Sequence, residues 1–121
     1  MTRTIVFDMR LPIALMAVAV GAALSLAGAQ MQTILNNPLA SPFTLGVSAA
    51  AAVGASAAVV SGFTLIAWGE NLAVPLCAFV GAASATALIQ LLAWRQGATV
   101  DTVVLFGIAL LFSFEALLWL L

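Results

Sequence analysis

The sequence predicts an all-α, polytopic membrane protein of about four transmembrane helices, with no soluble domain. Three observations carry this expectation. Of the 121 residues, 65% are hydrophobic and 6% are charged, with a mean hydropathy of +1.27. A soluble domain carries about 25% charged residues, so this chain lacks the polar groups to wet its own surface. The charges are Arg3, Asp8, Arg10, Glu70, Arg95, Asp101 and Glu115, and most of them separate long apolar stretches. Those stretches are continuously apolar rather than alternating, which selects helices over a barrel.

A helix rises about 1.5 Å per residue, so about 20 apolar residues cross a ~30 Å hydrocarbon core. Four segments within a single transmembrane domain over 1–121 reach that length: 12–31, 43–68, 72–94 and 103–121. The first opens on Pro12, at a helix start where a missing N–H costs little. It is followed by a turn containing Asn36, Asn37, Pro38, Ser41 and Pro42, which no helix crosses undisturbed. The second segment ends in Trp68, Gly69, Glu70 and Asn71, with the indole suited to a membrane interface. The third carries Pro75 near its start and meets Trp94 before a polar connection over 95–101. The fourth is apolar to Leu121 apart from Glu115.

The segments look built to pack on one another. Gly46, Ala50, Gly54, Ala58 and Gly62 recur every four residues, as do Ala17, Gly21, Ser25 and Ala29, with Gly28 beside them. Small residues at this spacing let helix backbones approach closely in lipid. The plainer alternative is that Ala and Gly are simply abundant here.

Few residues offer chemistry. Glu115 is the one ionisable group well inside an apolar segment, where a charge is costly and marks a pore lining, a proton site or a paired charge. Its position near the end of the segment allows the alternative that it reaches the interface. Gln30, Gln32 and Gln90 suit hydrogen bonds between helices. A net charge of −1 argues against nucleic-acid binding. With no His and the single Cys77, a zinc site and an intramolecular disulfide are excluded. No phosphate loop, nucleophile elbow or paired carboxylate supports an enzyme. Arg3, Arg10, an apolar run and Ala27-Gly28-Ala29 resemble a signal peptide, but Asp8 interrupts its basic region and a further apolar run follows the cleavage-like site. Two arginines against one leave orientation open.

From Arg10 to about Ala52 the chain carries a specific pattern: Arg10-Leu11-Pro12, Gly21-Ala22, Leu24, Gly28-Ala29 and Gln32, then Asn37-Pro38-Leu39-Ala40, Pro42 and Leu45-Gly46-Val47-Ser48. In order and spacing it resembles the permease subunits of ABC importers for iron-siderophores, heme and cobalamin, the FecCD/BtuC type. Phe79-Val80-Gly81-Ala82 and Leu105-Phe106-Gly107-Ile108-Ala109-Leu110 resemble later helices of that family. Ile13, Ala27 and Ala50 depart from its usual residues.

The resemblance implies a fragment comprising the second through fifth helices of a BtuC-like bundle, without the element that docks the ATPase. It further implies multi-pass insertion in the bacterial inner membrane, with the loop of Asn37, Pro38, Leu39, Ala40, Pro42 and Gly46 and the 95–101 connection on the cytoplasmic side. No cofactor is expected. The partners implied are the lipid bilayer, a separate ABC ATPase subunit, a second permease copy and a periplasmic substrate-binding protein. Val100, Asp101 and Glu115 would lie at or near the translocation path and its gate. Two other functions fit the residues alone. A small proton-coupled exporter would turn Glu115 into the bundle interior. A non-transporting scaffold would depend on packing residues such as Gly54.

Overall fold

The structure, a computed structural model, describes residues 2–62, 70–97 and 99–121. The chain divides into two compact units, Met1–Leu39 and Ala40–Leu121.

The first unit is helical almost throughout. Thr2–Thr4 forms one turn, Ile5–Arg10 is a π-helix, and α1 runs over Leu11–Ile34. Helix therefore begins well before the expected residue 12. A proline ring collides with the carbonyl four residues earlier, and the wider π spacing ahead of Pro12 accommodates it without ending the helix. At the other end α1 outlasts the expected residue 31 and closes at Asn36, which adopts φ +45°. The Asn36 amide donates to the Thr33 carbonyl at 3.4 Å and the Asn37 amide to the Gln32 carbonyl at 3.2 Å. These are the paired bonds of a Schellman cap, and Pro38 just beyond prevents continuation.

The second unit holds three helices: α2 (Val47–Val60), α3 (Glu70–Gln96) and α4 (Val100–Leu120). Helix α2 is shorter than the expected 43–68 at both ends. At its start, Ser41 and Thr44 bond reciprocally, each amide meeting the other's hydroxyl at 3.1 and 3.3 Å, and Gly46 then turns left-handed at φ +75°. At its end, Gly62 takes φ +67° and its amide donates to the Val59 carbonyl at 3.2 Å. That glycine is therefore a helix stop rather than another rung of the four-residue repeat. Trp68, expected at the end of this helix, lies outside the described residues.

Helix α3 starts two residues before the expected 72, which places Pro75 inside the helix rather than in its first turn. One backbone bond is lost there. Helix α4 starts at Val100, three residues earlier than expected, because Thr99, still in extended backbone, stands at its N-cap and its carbonyl accepts the Val103 amide at 3.1 Å.

Three helical stretches, Ile5–Ile34, Leu72–Arg95 and Val100–Leu120, are long and apolar enough to cross a membrane, and Val47–Val60 is a shorter apolar helix. Their large side chains point outward: Phe79 is 72% exposed, Trp94 83% and Trp119 92%. Lipid, not water, is the solvent such surfaces fit, and the fold is that of a multi-pass membrane protein.

What is buried is small. Among the described residues the buried apolar set is Leu35, Ala40, Leu45, Ala50, Ala58, Ala73 and Ala85. Ala50, Gly54 and Ala58 stand four apart on α2, and Ala73, Cys77, Gly81 and Ala85 stand four apart on α3. The two rows face each other in antiparallel register. A Cβ added at Gly54 would run into the Cys77 carbonyl group, with its carbon 2.9 Å away, and one added at Gly81 would meet that of Ala50, its carbon 3.1 Å away. The backbones touch because neither position carries a side chain. By contrast, Gly21, Gly28 and Gly62 have nothing within 4 Å of an added Cβ, and the Ser25 hydroxyl bonds its own helix at the Gly21 carbonyl, 2.7 Å.

Replacing Gly54 by Leu is expected to separate α2 from α3, destabilising the chain in detergent by about 3 kcal/mol or more. Gly21→Ala is expected to change stability by less than about 1 kcal/mol. Denaturant titration of the purified variants, followed by circular dichroism and intrinsic fluorescence, distinguishes the two outcomes.

Candidate functional site

The residues of the family-like motif build a turn and its landing site. In the first unit, the Asn37 side-chain oxygen accepts the Leu39 amide at 2.9 Å, an Asx turn that bends the chain immediately after the α1 cap. Leu39 projects outward, 81% exposed. In the second unit, Ala40 is buried, Pro42 is half-buried, and the Thr44 hydroxyl donates to the Ser41 carbonyl at 2.8 Å. This locally bonded turn delivers Leu45 and Gly46, both buried, to the flank of α4.

The landing site is a glycine notch. A Cβ at Gly107 of α4 would meet the Leu45 side chain and lie 3.1 Å from the Leu45 Cα. Conversely, a Cβ at Gly46 would lie 2.8 Å from the Leu111 amide nitrogen and 3.3 Å from the Gly107 carbonyl oxygen. Gly46 is thus required twice: its φ of +75° disfavours any L side chain, and the space a side chain would need is occupied by α4 backbone.

Val100 and Asp101 form the first turn of α4, not the connection before it. Asp101 stands at the positive end of the helix dipole, a favourable place for a carboxylate. The Thr99 and Thr102 hydroxyls lie 3.0 Å apart across the same turn. Glu115 sits 14 residues beyond Asp101, about 21 Å along the helix. It is exposed, between Phe112 and Trp119 and about one turn beyond Leu111. The inward orientation that an exporter would require of Glu115 is therefore not the one observed within this chain. The structure does not gather Val100, Asp101 and Glu115 into one constellation; they are spread along the exposed side of a single helix.

A surface cleft of about 350 Å³ opens where α2, α3 and α4 meet near the end of α4, lined by Ala55, Ser56, Val59, Val60, Val74, Leu118 and Leu121. Apart from the Ser56 hydroxyl its side chains are apolar, so it has little with which to orient a polar ligand.

Several structural partners escaped the sequence reading. The row of Ala73, Cys77, Gly81 and Ala85 was legible as a four-residue repeat. The pairing of Gly107 with Leu45 had no signal along the chain, because it joins residues 62 positions apart that share no periodicity.

The FecCD transport family matches the chain over residues 1–121. The ferric enterobactin transport system permease protein FepG of Escherichia coli (strain K12) is 38% identical over 121 residues, covering 97% of this chain and 34% of that protein. The iron(3+)-hydroxamate import system permease protein FhuG of Bacillus subtilis (strain 168) is 38% identical over 122 residues, covering 94% and 35%. The vitamin B12 import system permease protein BtuC of Escherichia coli O1:K1 / APEC is 43% identical over 105 residues, covering 87% and 31%. The chain spans about a third of the length of these curated relatives.

Two substitutions probe the notch. Gly46→Ala is expected to cost about 1–2 kcal/mol from the left-handed backbone alone, and more from the collision with α4. Gly107→Ala and Leu45→Ala, each destabilising singly, are expected to be non-additive by about 1 kcal/mol, since the smaller residue at 45 relieves the crowding at 107. Denaturant titrations of the two single variants and the double variant give the coupling.

Proposed function

The chain belongs to the FecCD transport family, and on that footing we propose that it supplies membrane-spanning helices of the permease component of an ABC importer. The whole-length family match is the observation that carries this reading. The proposed cargo is an iron-siderophore, heme or a cobalamin-type molecule. The relatives' names specify ferric enterobactin, iron(3+)-hydroxamate and vitamin B12, so identity near 40% over this stretch does not select one among them.

Transport in this reading is driven from outside the chain. These 121 residues contain no phosphate-binding loop, and their 6% charged content leaves no polar domain to hold a nucleotide. A separate ABC ATPase is the proposed motor, with a second permease copy completing the pathway and a periplasmic binding protein delivering the cargo. The bacterial inner membrane is the proposed location.

The chain's own part is mechanical. Alternating access needs helix groups that move as rigid bodies around a path. The backbone contacts at Gly54 and Gly81, and the Leu45–Gly46 turn seated at Gly107, are suited to making α2, α3 and α4 one such body. Val100, Asp101 and Glu115 are the proposed residues at or beside the path and its gate, because they line the exposed side of α4.

The test is to tag the chain in its native membranes, solubilise it in mild detergent and identify what co-purifies by mass spectrometry. Recovery of an ABC ATPase and of further permease helices is expected. Recovery of this chain alone, as a homodimer without an ATPase, overturns the importer reading.

A further inference from the structure

We infer that the segment ahead of α1 holds the headgroup of an aminophospholipid, with Arg3 on its phosphate and Asp8 on its ammonium. The helical stretch Ile5–Ile34 is long and apolar enough to cross a membrane. Within it, Leu11–Ala29 contains no charged or carboxamide side chain. That part measures about 28 Å along a helix, against a hydrocarbon core ~30 Å thick. Asp8 and Arg10 stand just before it, so the chain leaves the hydrocarbon at the first turn of α1. The π-helix Ile5–Arg10 therefore lies in the headgroup layer, which is about 5–8 Å deep on each side of the core.

The local geometry brings a cation back into that layer. Arg3 stands about 12 Å before Leu11, beyond the headgroups had its side chain run outward. Its guanidinium instead lies over the Phe7 ring, 6.0 Å from the centroid and one turn nearer the hydrocarbon. Arg3, Thr4, Phe7 and Asp8 line one shallow cleft of about 350 Å³. Arg3 and Phe7 are four residues apart, as are Thr4 and Asp8, so the supported cation stands beside the hydroxyl and the carboxylate. The pair of charges selects the ligand. A guanidinium offers a phosphate two parallel N–H donors. A headgroup carrying only negative charge would be repelled by the Asp8 carboxylate, and a trimethylammonium has no N–H to donate to it. A phosphate joined to a primary ammonium satisfies both ends. The inference rests on this stretch crossing the membrane and does not depend on the importer reading.

Native mass spectrometry tests this on the full chain, in the assembly with which it purifies in mild detergent. Phosphatidylethanolamine, phosphatidylcholine and phosphatidylglycerol with identical acyl chains are added in turn. Phosphatidylethanolamine is expected to be retained about fivefold more than either of the others. Arg3→Gln is expected to lower its retention about fivefold, the share of one basic residue at a membrane surface, and Arg10→Gln to leave it unchanged. Asp8→Asn is expected to abolish the preference over the other two lipids. The comparison of headgroups on the unaltered chain needs no variant to fold, and circular dichroism establishes that each variant keeps its helix. Equal retention of the three lipids, or stronger retention of phosphatidylglycerol, overturns the inference. So does a preference that survives both Arg3→Gln and Asp8→Asn, or one that Arg10→Gln weakens as much as Arg3→Gln.

Discussion

The second unit depends on one contact, the approach of two helix backbones where Gly54 meets Cys77 and Gly81 meets Ala50. In water a helix pair is held by apolar side chains leaving solvent. In lipid that driving force is nearly absent, because acyl chains are as apolar as leucine. What remains is close packing of polarisable backbone against backbone, which decays steeply with distance. A single methyl at either glycine would occupy the space the facing carbonyl now fills. The identity of the buried residues follows from this: alanines dominate, while Phe79, Trp94 and Trp119 are directed outward.

The second joint, between the Leu45–Gly46 turn and Gly107, is of the same kind but with the roles divided. Here a side chain fills the notch that a glycine leaves, and a neighbouring glycine lets the turn lie against α4. Gly46 could not do this from within a helix. Its left-handed φ breaks the chain direction just before α2 begins, and the Ser41–Thr44 bonds hold the preceding turn in shape. Local hydrogen bonding, a special backbone angle and a long-range contact agree on one conformation, as expected where a short motif serves a structural purpose.

How much of this was legible in the sequence depends on the period of the signal. The apolar runs and the four-residue repeats announce helices and a packing face, and α2 and α3 do meet along such rows. The boundaries were less accessible. Gly62 continues the numerical repeat of Gly46, Ala50, Gly54 and Ala58, yet it lies past the end of α2 in a left-handed cap. Spacing alone cannot distinguish a glycine that packs from one that stops a helix, since the absence of a side chain serves both. In the first unit, Gly21 and Gly28 share the spacing of packing residues without a neighbour in this chain. For the site, the motif of Asn37, Pro38, Leu39, Ala40, Pro42 and Gly46 was visible as a pattern. Its landing place at Gly107 was not, because no periodicity links the two.

Glu115 raises a different question, since nothing in its local structure explains its presence. It caps nothing and lies between two large exposed aromatic residues, Phe112 and Trp119. Asp101 on the same helix has a local reason, the dipole at the helix start. The contrast locates the reason for Glu115 beyond its own helix. A carboxylate on a lipid-depth surface is a statement about what covers that surface: either water enters there, or another helix brings a matching group. The apolar residues around it, Ile108 and Phe112 on one side and Trp119 on the other, set that carboxylate on the same exposed side of α4 as Asp101. On this argument Glu115 is explained by whatever lies against the exposed side of α4, just as Gly54 is explained by the Cys77 carbonyl that faces it.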